Sequence, residues 1–159
     1  MDFKEPITLE GKQKIDNELD QLIKVDREEI KVKIQEAREL GDLKENAEYH
    51  SAKEKQSILE GRIAYLQGIV ANCNVIDTSK IQGQDKVVFG ATVLLHDEEK
   101  DKEIEYKIVG HEESDNRHGK ISYKSPLGKA LIGKEEGDTI VVRAPKGDLE
   151  YEILEVKYE

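Results

Sequence analysis

Tyr49, Ala52, Gln56, Leu59, Ile63, Leu66, Val70 and Cys73 follow one another in alternating steps of three and four residues. This is the a/d pattern of a heptad repeat. It puts all eight side chains in one narrow stripe along a long α-helix, and such a stripe has to be covered by another helix. The partner is predicted just upstream, because no proline occurs between Glu10 and Asn74. There Ile15, Leu19 and Leu22 keep the spacing, Asp26 occupies the next seam position, and the pattern resumes at Ile30, Ile34 and Ala37. The register slips locally near Asp26. Gly41 is placed to end the first helix and Asp42 to begin the second. A connection this short makes the helices antiparallel neighbours, each about 45 Å long at 1.5 Å per residue. With only its own seam as core, the hairpin is expected to project as a rod.

Composition agrees with a two-part chain. Of 159 residues, 38% are charged and 36% apolar, with no Trp, so one large compact core is excluded. A net charge of −10 argues against free-standing binding to duplex DNA or to a membrane surface. The longest apolar run, Ile63 to Leu66, is too short for a membrane span or the core of a signal peptide. Cys73 is the single cysteine, which excludes an internal disulfide and a cysteine-rich zinc site and points to a reducing, cytoplasmic setting.

After about Ile76 to Gln84 the period changes. Val87–Leu95 and Ile104–Val109 are rich in β-branched and apolar residues and flank a charged turn, His96 to Lys102, so a β-hairpin is predicted. Thr139–Ala144 and Leu149–Tyr158 predict a second, joined by Pro145-Lys146-Gly147-Asp148. In its last strand the alternation Leu149, Tyr151, Ile153 continues out of phase as Leu154, Val156, Tyr158, which marks a β-bulge near 153–154. Ser125 before Pro126, with Gly133 beyond, delimits a short helix. The expected division is 1–78 helical and 79–159 globular.

The chemistry concentrates at the hairpin tip, near 41–46. Glu36, Glu39, Asp42, Glu45 and Glu48 stand there against Arg38 and Lys44. Asp42 and Glu45 are three apart, so on a helix their side chains fall on one side and could share a Mg²⁺ as a partial site. On spacing alone the pair reads first as a capping box, which stabilises a helix start by about 1 kcal/mol, and both roles can hold together. Lys24, Arg27, Lys31 and Arg38 form a basic stripe, with Lys53 and Lys55 on the second helix. This is either a solvated face with intrahelical ion pairs or a guide for a nucleic-acid strand. His50, His96, His111 and His118 show no ligand spacing and are read as surface residues. Cys73 is read as seam packing.

The run Glu36-Ala37-Arg38-Glu39-Leu40-Gly41-Asp42-Leu43-Lys44-Glu45-Asn46-Ala47-Glu48-Tyr49-His50 closely resembles the signature of the GreA/GreB family of bacterial transcript-cleavage factors. Ile76-Asp77, Phe89-Gly90-Ala91-Thr92-Val93, Ile108-Val109-Gly110 and the segment Ser125 to Asp138 resemble its globular landmarks. The resemblance implies an α+β fold: an N-terminal antiparallel coiled-coil hairpin followed by a small antiparallel-sheet, FKBP-like domain. It implies a factor that docks at the rim of the RNA polymerase secondary channel and reaches the active site with its tip. By the same resemblance Asp42 and Glu45 help hold a Mg²⁺ shared with the polymerase, while the isolated protein binds none. The factor would stimulate the polymerase's own cleavage of backtracked RNA without being an enzyme itself. Arg38 and Lys53 map onto the basic patch beside the nascent RNA 3′ end, and Ser125-Pro126 onto a polymerase contact. A monomer without membrane association is implied, of GreA type rather than GreB type. Three other readings stand beside it: a channel-blocking inhibitory homologue, an FKBP-like chaperone with a coiled-coil handle, and a dimeric coiled-coil adaptor. The intact Asp42-x-x-Glu45 argues against the first. The poor supply of aromatics for a binding pocket argues against the second. Gly41 between the two matching stretches argues against the third.

Overall fold

The computed structural model describes residues 4–41, 46–81 and 86–158. The chain divides into two compact units, Lys12–Cys73 and a second unit made of Met1–Gly11 with Asn74–Glu159. The first eleven residues thus group with the second half.

The helical unit is a hairpin. Helix runs without a break from Leu9 to Glu39, as α1 (Leu9–Gln21), one π-helical turn (Leu22–Asp26) and α2 (Arg27–Glu39). It is answered by α3 (Ala47–Asn72). The π turn explains the slip in register. Ile15 to Leu22 is one heptad, and so are Ile23 to Ile30 and Ile30 to Ala37. Between Leu22 and Ile23 the phase moves by one residue, which is what one wide turn absorbs. Gln21 Nε2 bonds Asp26 Oδ1 across it at 3.1 Å, an i,i+5 spacing that fits a π turn. Ile15, Ile30 and Ala37 are buried on this side; Ala52, Ile63 and Leu66 are buried on the other. All eight α3 seam positions are buried or half-buried. Cys73 is half-buried but has left the helix: it ends α3 and begins a strand, with Sγ 3.5 Å from the Val70 carbonyl oxygen. Forked ion pairs join the helices. Arg27 meets Glu60 at 2.9 and 2.7 Å, and Arg62 meets Glu18 at 3.2 and 3.0 Å.

The second unit holds a five-stranded sheet in the order β5-β4-β3-β7-β6. Its strands are β3 (Thr92–Asp97), β4 (Lys102–Val109), β5 (Lys120–Ser122), β6 (Thr139–Ala144) and β7 (Gly147–Lys157). Both expected hairpins are present, and β6 turns into β7 through Pro145-Lys146, with Ala144 paired to Gly147. The expected bulge is present too: Leu94 pairs Glu155 and Leu95 pairs Ile153, leaving Leu154 as the extra residue. α4 (Pro126–Leu131) follows Ser125, whose Oγ accepts from the Gly128 N–H.

Three expectations need correction. The sheet is mixed, since β4 and β5 pair in parallel. Val87–Ala91 is core but not strand, because Gly90 turns the backbone at φ 91° and Val87 instead exchanges backbone bonds with Lys134 and Gly133. A further two-stranded sheet, β1 (Glu5–Thr8) with β2 (Cys73–Ile76), joins segments far apart in sequence. The core of this unit is a cluster around Val87, Val93, Leu95, Ile108, Leu131 and Ile153. No helix among the described residues is long and apolar enough to cross a membrane.

At the start of α1, Thr8 N and Oγ1 both donate to Glu113 Oε1, at 2.7 and 2.9 Å, and Gly11 N–H donates to Thr8 Oγ1 at 3.1 Å. A Cβ at position 11 would stand 1.7 Å from Glu113 Oε1, so a larger residue there would displace the Glu113 carboxylate from Thr8. Burial raises the Glu113 pKa above the usual carboxylate range, opposed by the bonds from Thr8 and Gly110.

Candidate functional site

Asp42 and Glu45 lie outside the described residues, as does Lys44; what surrounds them at the tip is defined. α2 ends at Glu39 with Leu40 as its C-cap, followed by Gly41 at φ 117°, in the region that favours glycine. α3 begins one residue after Asn46, and Asn46 is its N-cap: Oδ1 accepts from the Tyr49 N–H at 3.0 Å. Its Nδ2 donates to the Ala37 carbonyl near the end of α2. This corrects the expected placement of the cap at Asp42. An Asp at this position offers only acceptors, whereas the Asn amide serves a donor on one helix and an acceptor on the other. The capping-box reading of Asp42 and Glu45 therefore does not apply to α3.

Ala37 and Ala52 are buried here, and their small side chains leave a groove of about 540 Å³ between the helix ends. Leu40, Ala47 and Ser51 line it, and Lys33 and Lys55 stand at its edge. The Arg38 guanidinium lies 5.9 Å from the centre of the Tyr49 ring, within cation–π range. Lys53 follows Tyr49 by four residues, so it sits on the same side one turn further along. Its Nζ donates to Gln56 Oε1 at 3.2 Å. Of the two cations expected at RNA, Arg38 lies against Tyr49, which sequence reasoning placed only in the seam, while Lys53 is engaged with Gln56. The remaining stripe resolves into ion pairs: Lys24 with Asp20 at 2.8 Å, Lys31 with Glu28 at 3.1 Å, and Arg27 with Glu60. Lys24 and Lys31 make the intrahelical pairs of the solvated-face reading, whereas Arg27 pairs across to α3.

Ser125 and Pro126 sit in the second unit. The Ser125 hydroxyl donates to the Ser122 carbonyl at 2.7 Å and accepts from Gly128 at 3.1 Å, while Pro126 is exposed. Of the four histidines, three are exposed; His96 is half-buried on β3, with Asp101 2.7 Å from its Nε2.

Comparison with known proteins gives two family matches. Residues 5–75 match the N-terminal domain of the transcription elongation factor family, and residues 82–158 match the GreA/GreB C-terminal domain. The chain is 53% identical to the transcription elongation factor GreA of Alkalilimnicola ehrlichii over 155 residues, 98% of each chain. It is 49% identical to that of Pseudomonas putida, over 98% of this chain and 97% of the relative. Among solved structures, a prokaryotic transcription elongation factor GreA/GreB from Nitrosomonas europaea is similar at 30% identity, with a TM-score of 0.42 over 66% of this chain and 93% of the other.

Proposed function

Because the chain belongs to the GreA/GreB family of transcription elongation factors, we propose that it acts on RNA polymerase to stimulate the polymerase's own cleavage of backtracked RNA. The hairpin enters the secondary channel, and its tip presents Asp42 and Glu45 to the reaction centre. A pair of carboxylates suits Mg²⁺, which accepts one or two such donors and takes its other ligands elsewhere, here from the polymerase. When bound, the ion supplies a water that can attack a phosphodiester at neutral pH. Asp42 and Glu45 hold negative oxygens in place for it. Arg38 and Lys53 hold phosphates of the RNA 3′ end by charge, with Arg38 kept in position by the Tyr49 face. Pro126 and its neighbours contact the channel rim. The chain works as a cytoplasmic monomer and has no hydrolytic activity alone.

The observation that most supports this reading is the Asn46 cap. With Asn46 as its N-cap, α3 does not depend on Asp42 for that role. The test is Asp42→Asn in stalled elongation complexes. The variant is expected to bind polymerase and keep the thermal midpoint of the parent, yet to lose stimulated cleavage. Full cleavage by that variant would remove Asp42 from the chemistry. Lys53→Ala should reduce crosslinking to the RNA 3′ end while polymerase binding persists.

A further inference from the structure

β3 and β7 run antiparallel and bring His96 directly opposite Glu152. Glu98 follows at the start of the turn into β4. Its backbone N–H donates to the Glu150 carbonyl at 3.2 Å, which extends the ladder and fixes where the side chain starts. One ligand atom from each of His96, Glu98 and Glu152 lies within 4.8 Å of the other two. His96 Nδ1 stands 3.5 Å from Glu98 Oε1. For a tetrahedral ion with bonds of about 2.0–2.1 Å, neighbouring ligand atoms are about 3.3–3.4 Å apart. His96 and Glu98 are already near that spacing, and Glu152 has to close from within 4.8 Å.

The imidazole distinguishes this place from an ordinary acidic patch. Its second nitrogen, Nε2, is 2.7 Å from Asp101 Oδ1. A carboxylate behind a histidine fixes the tautomer, turns Nδ1 outward as an electron-pair donor and raises its basicity. Asp101 reaches this position from φ 50°, the one positive φ outside glycine among the described residues. Glu103 on β4 is also paired with His96 and adds negative charge. One imidazole with two carboxylates suits a borderline-soft ion, whereas Mg²⁺ and Ca²⁺ prefer oxygen alone.

We propose that His96, Glu98 and Glu152 bind a late first-row divalent cation, Zn²⁺ by preference, with Asp101 as the positioning residue behind the imidazole. Bound there, the ion ties β3 to β7 and to the β3–β4 turn, and stabilises the sheet in proportion to its occupancy. Water completes the coordination on the exposed side. The site belongs to the second unit and is independent of the tip carboxylates.

The competing occupant is a proton, which would leave an imidazolium paired with Asp101 and Glu98. Zn²⁺ titration of the full chain at slightly alkaline pH separates the two, read by calorimetry and by the His96 ring signals in NMR. The expected result is one saturable equivalent at micromolar Zn²⁺, with the His96 signals shifting in step. His96→Gln and Glu152→Gln should each weaken binding at least about tenfold, and Asp101→Asn about tenfold, the usual effect of losing a carboxylate behind a ligand. Zn²⁺ should raise the thermal midpoint of the parent and leave that of His96→Gln unchanged, with circular dichroism confirming that the variant is folded. The proposal is overturned by absence of saturable binding, by undiminished binding in His96→Gln, or by Mg²⁺ shifting the His96 signals at the same concentrations.

Discussion

Replacing Asn46 by Ala removes two bonds at once: the acceptor for the Tyr49 N–H and the donor to the Ala37 carbonyl. Loss of an N-cap costs about 1 kcal/mol, within a range of roughly 0.5–2. The Ala37 carbonyl keeps the Leu40 N–H at 3.2 Å, so the second loss is one net hydrogen bond, on the order of 1 kcal/mol. The expected loss is about 2 kcal/mol, and at roughly 2–4 °C per kcal/mol for a chain of this size the midpoint should fall by about 4–8 °C. Thermal unfolding followed by far-ultraviolet circular dichroism reads it on the helical signal. Asn46→Asp keeps the cap acceptor and loses only the donor, so it should fall by about half as much. Asp42→Ala should stay within about 0.5 kcal/mol of the parent, as surface substitutions usually do. If Asp42→Ala is as harmful as predicted for Asn46→Ala, and Asn46→Ala is silent, the cap sits at Asp42 and the reasoning about the tip fails.

Gly128→Ala would place a methyl 2.3 Å from the Ser122 carbonyl oxygen, a backbone atom that cannot step aside, and should destabilise the second unit by about 1–3 kcal/mol in urea unfolding. Deleting Val25, exposed within the π turn, should convert that turn to α-helix and leave the seam continuous; deleting Ser57 from α3 should rotate Ile63 and Leu66 out of the seam and unfold the hairpin, as circular dichroism would show. Glu113 has a raised pKa, so the folded state holds its proton more tightly than the unfolded chain. Its ionisation opposes folding at neutral pH, and stability is regained as pH falls through the folded pKa. Glu113→Gln retains an acceptor for Thr8, and the difference in midpoint between it and the parent should shrink toward acid pH; a constant difference would refute the assignment.

What the sequence disclosed depended on how local the signal was. The α3 seam, the stop at Gly41, the Ser125 cap and the bulge at Leu154 each follow from residues a few positions apart, and each is present. The π turn left a trace, the displaced Asp26, but spacing alone cannot separate a wide turn from a stutter. The cap was misassigned because Asp42 and Asn46 are both good N-cap residues, and the choice depends on the Ala37 carbonyl that Asn46 also reaches. The pairing of β1 with β2, the parallel β5, and the meeting of Glu113 with Thr8 join residues far apart and have no periodic signature. The same holds for Glu152 beside His96. Tyr49 carried a seam signal that masked its place under Arg38.

The phase break at Leu22–Asp26 has a consequence for pairing fidelity. Two helices with uniform heptads can slide past each other by one repeat and still bury every seam residue, so several alignments compete. Here the stripe changes angle once, at a fixed distance from the tip. A shifted alignment would match one segment and turn the other away from α3, so only one alignment satisfies both.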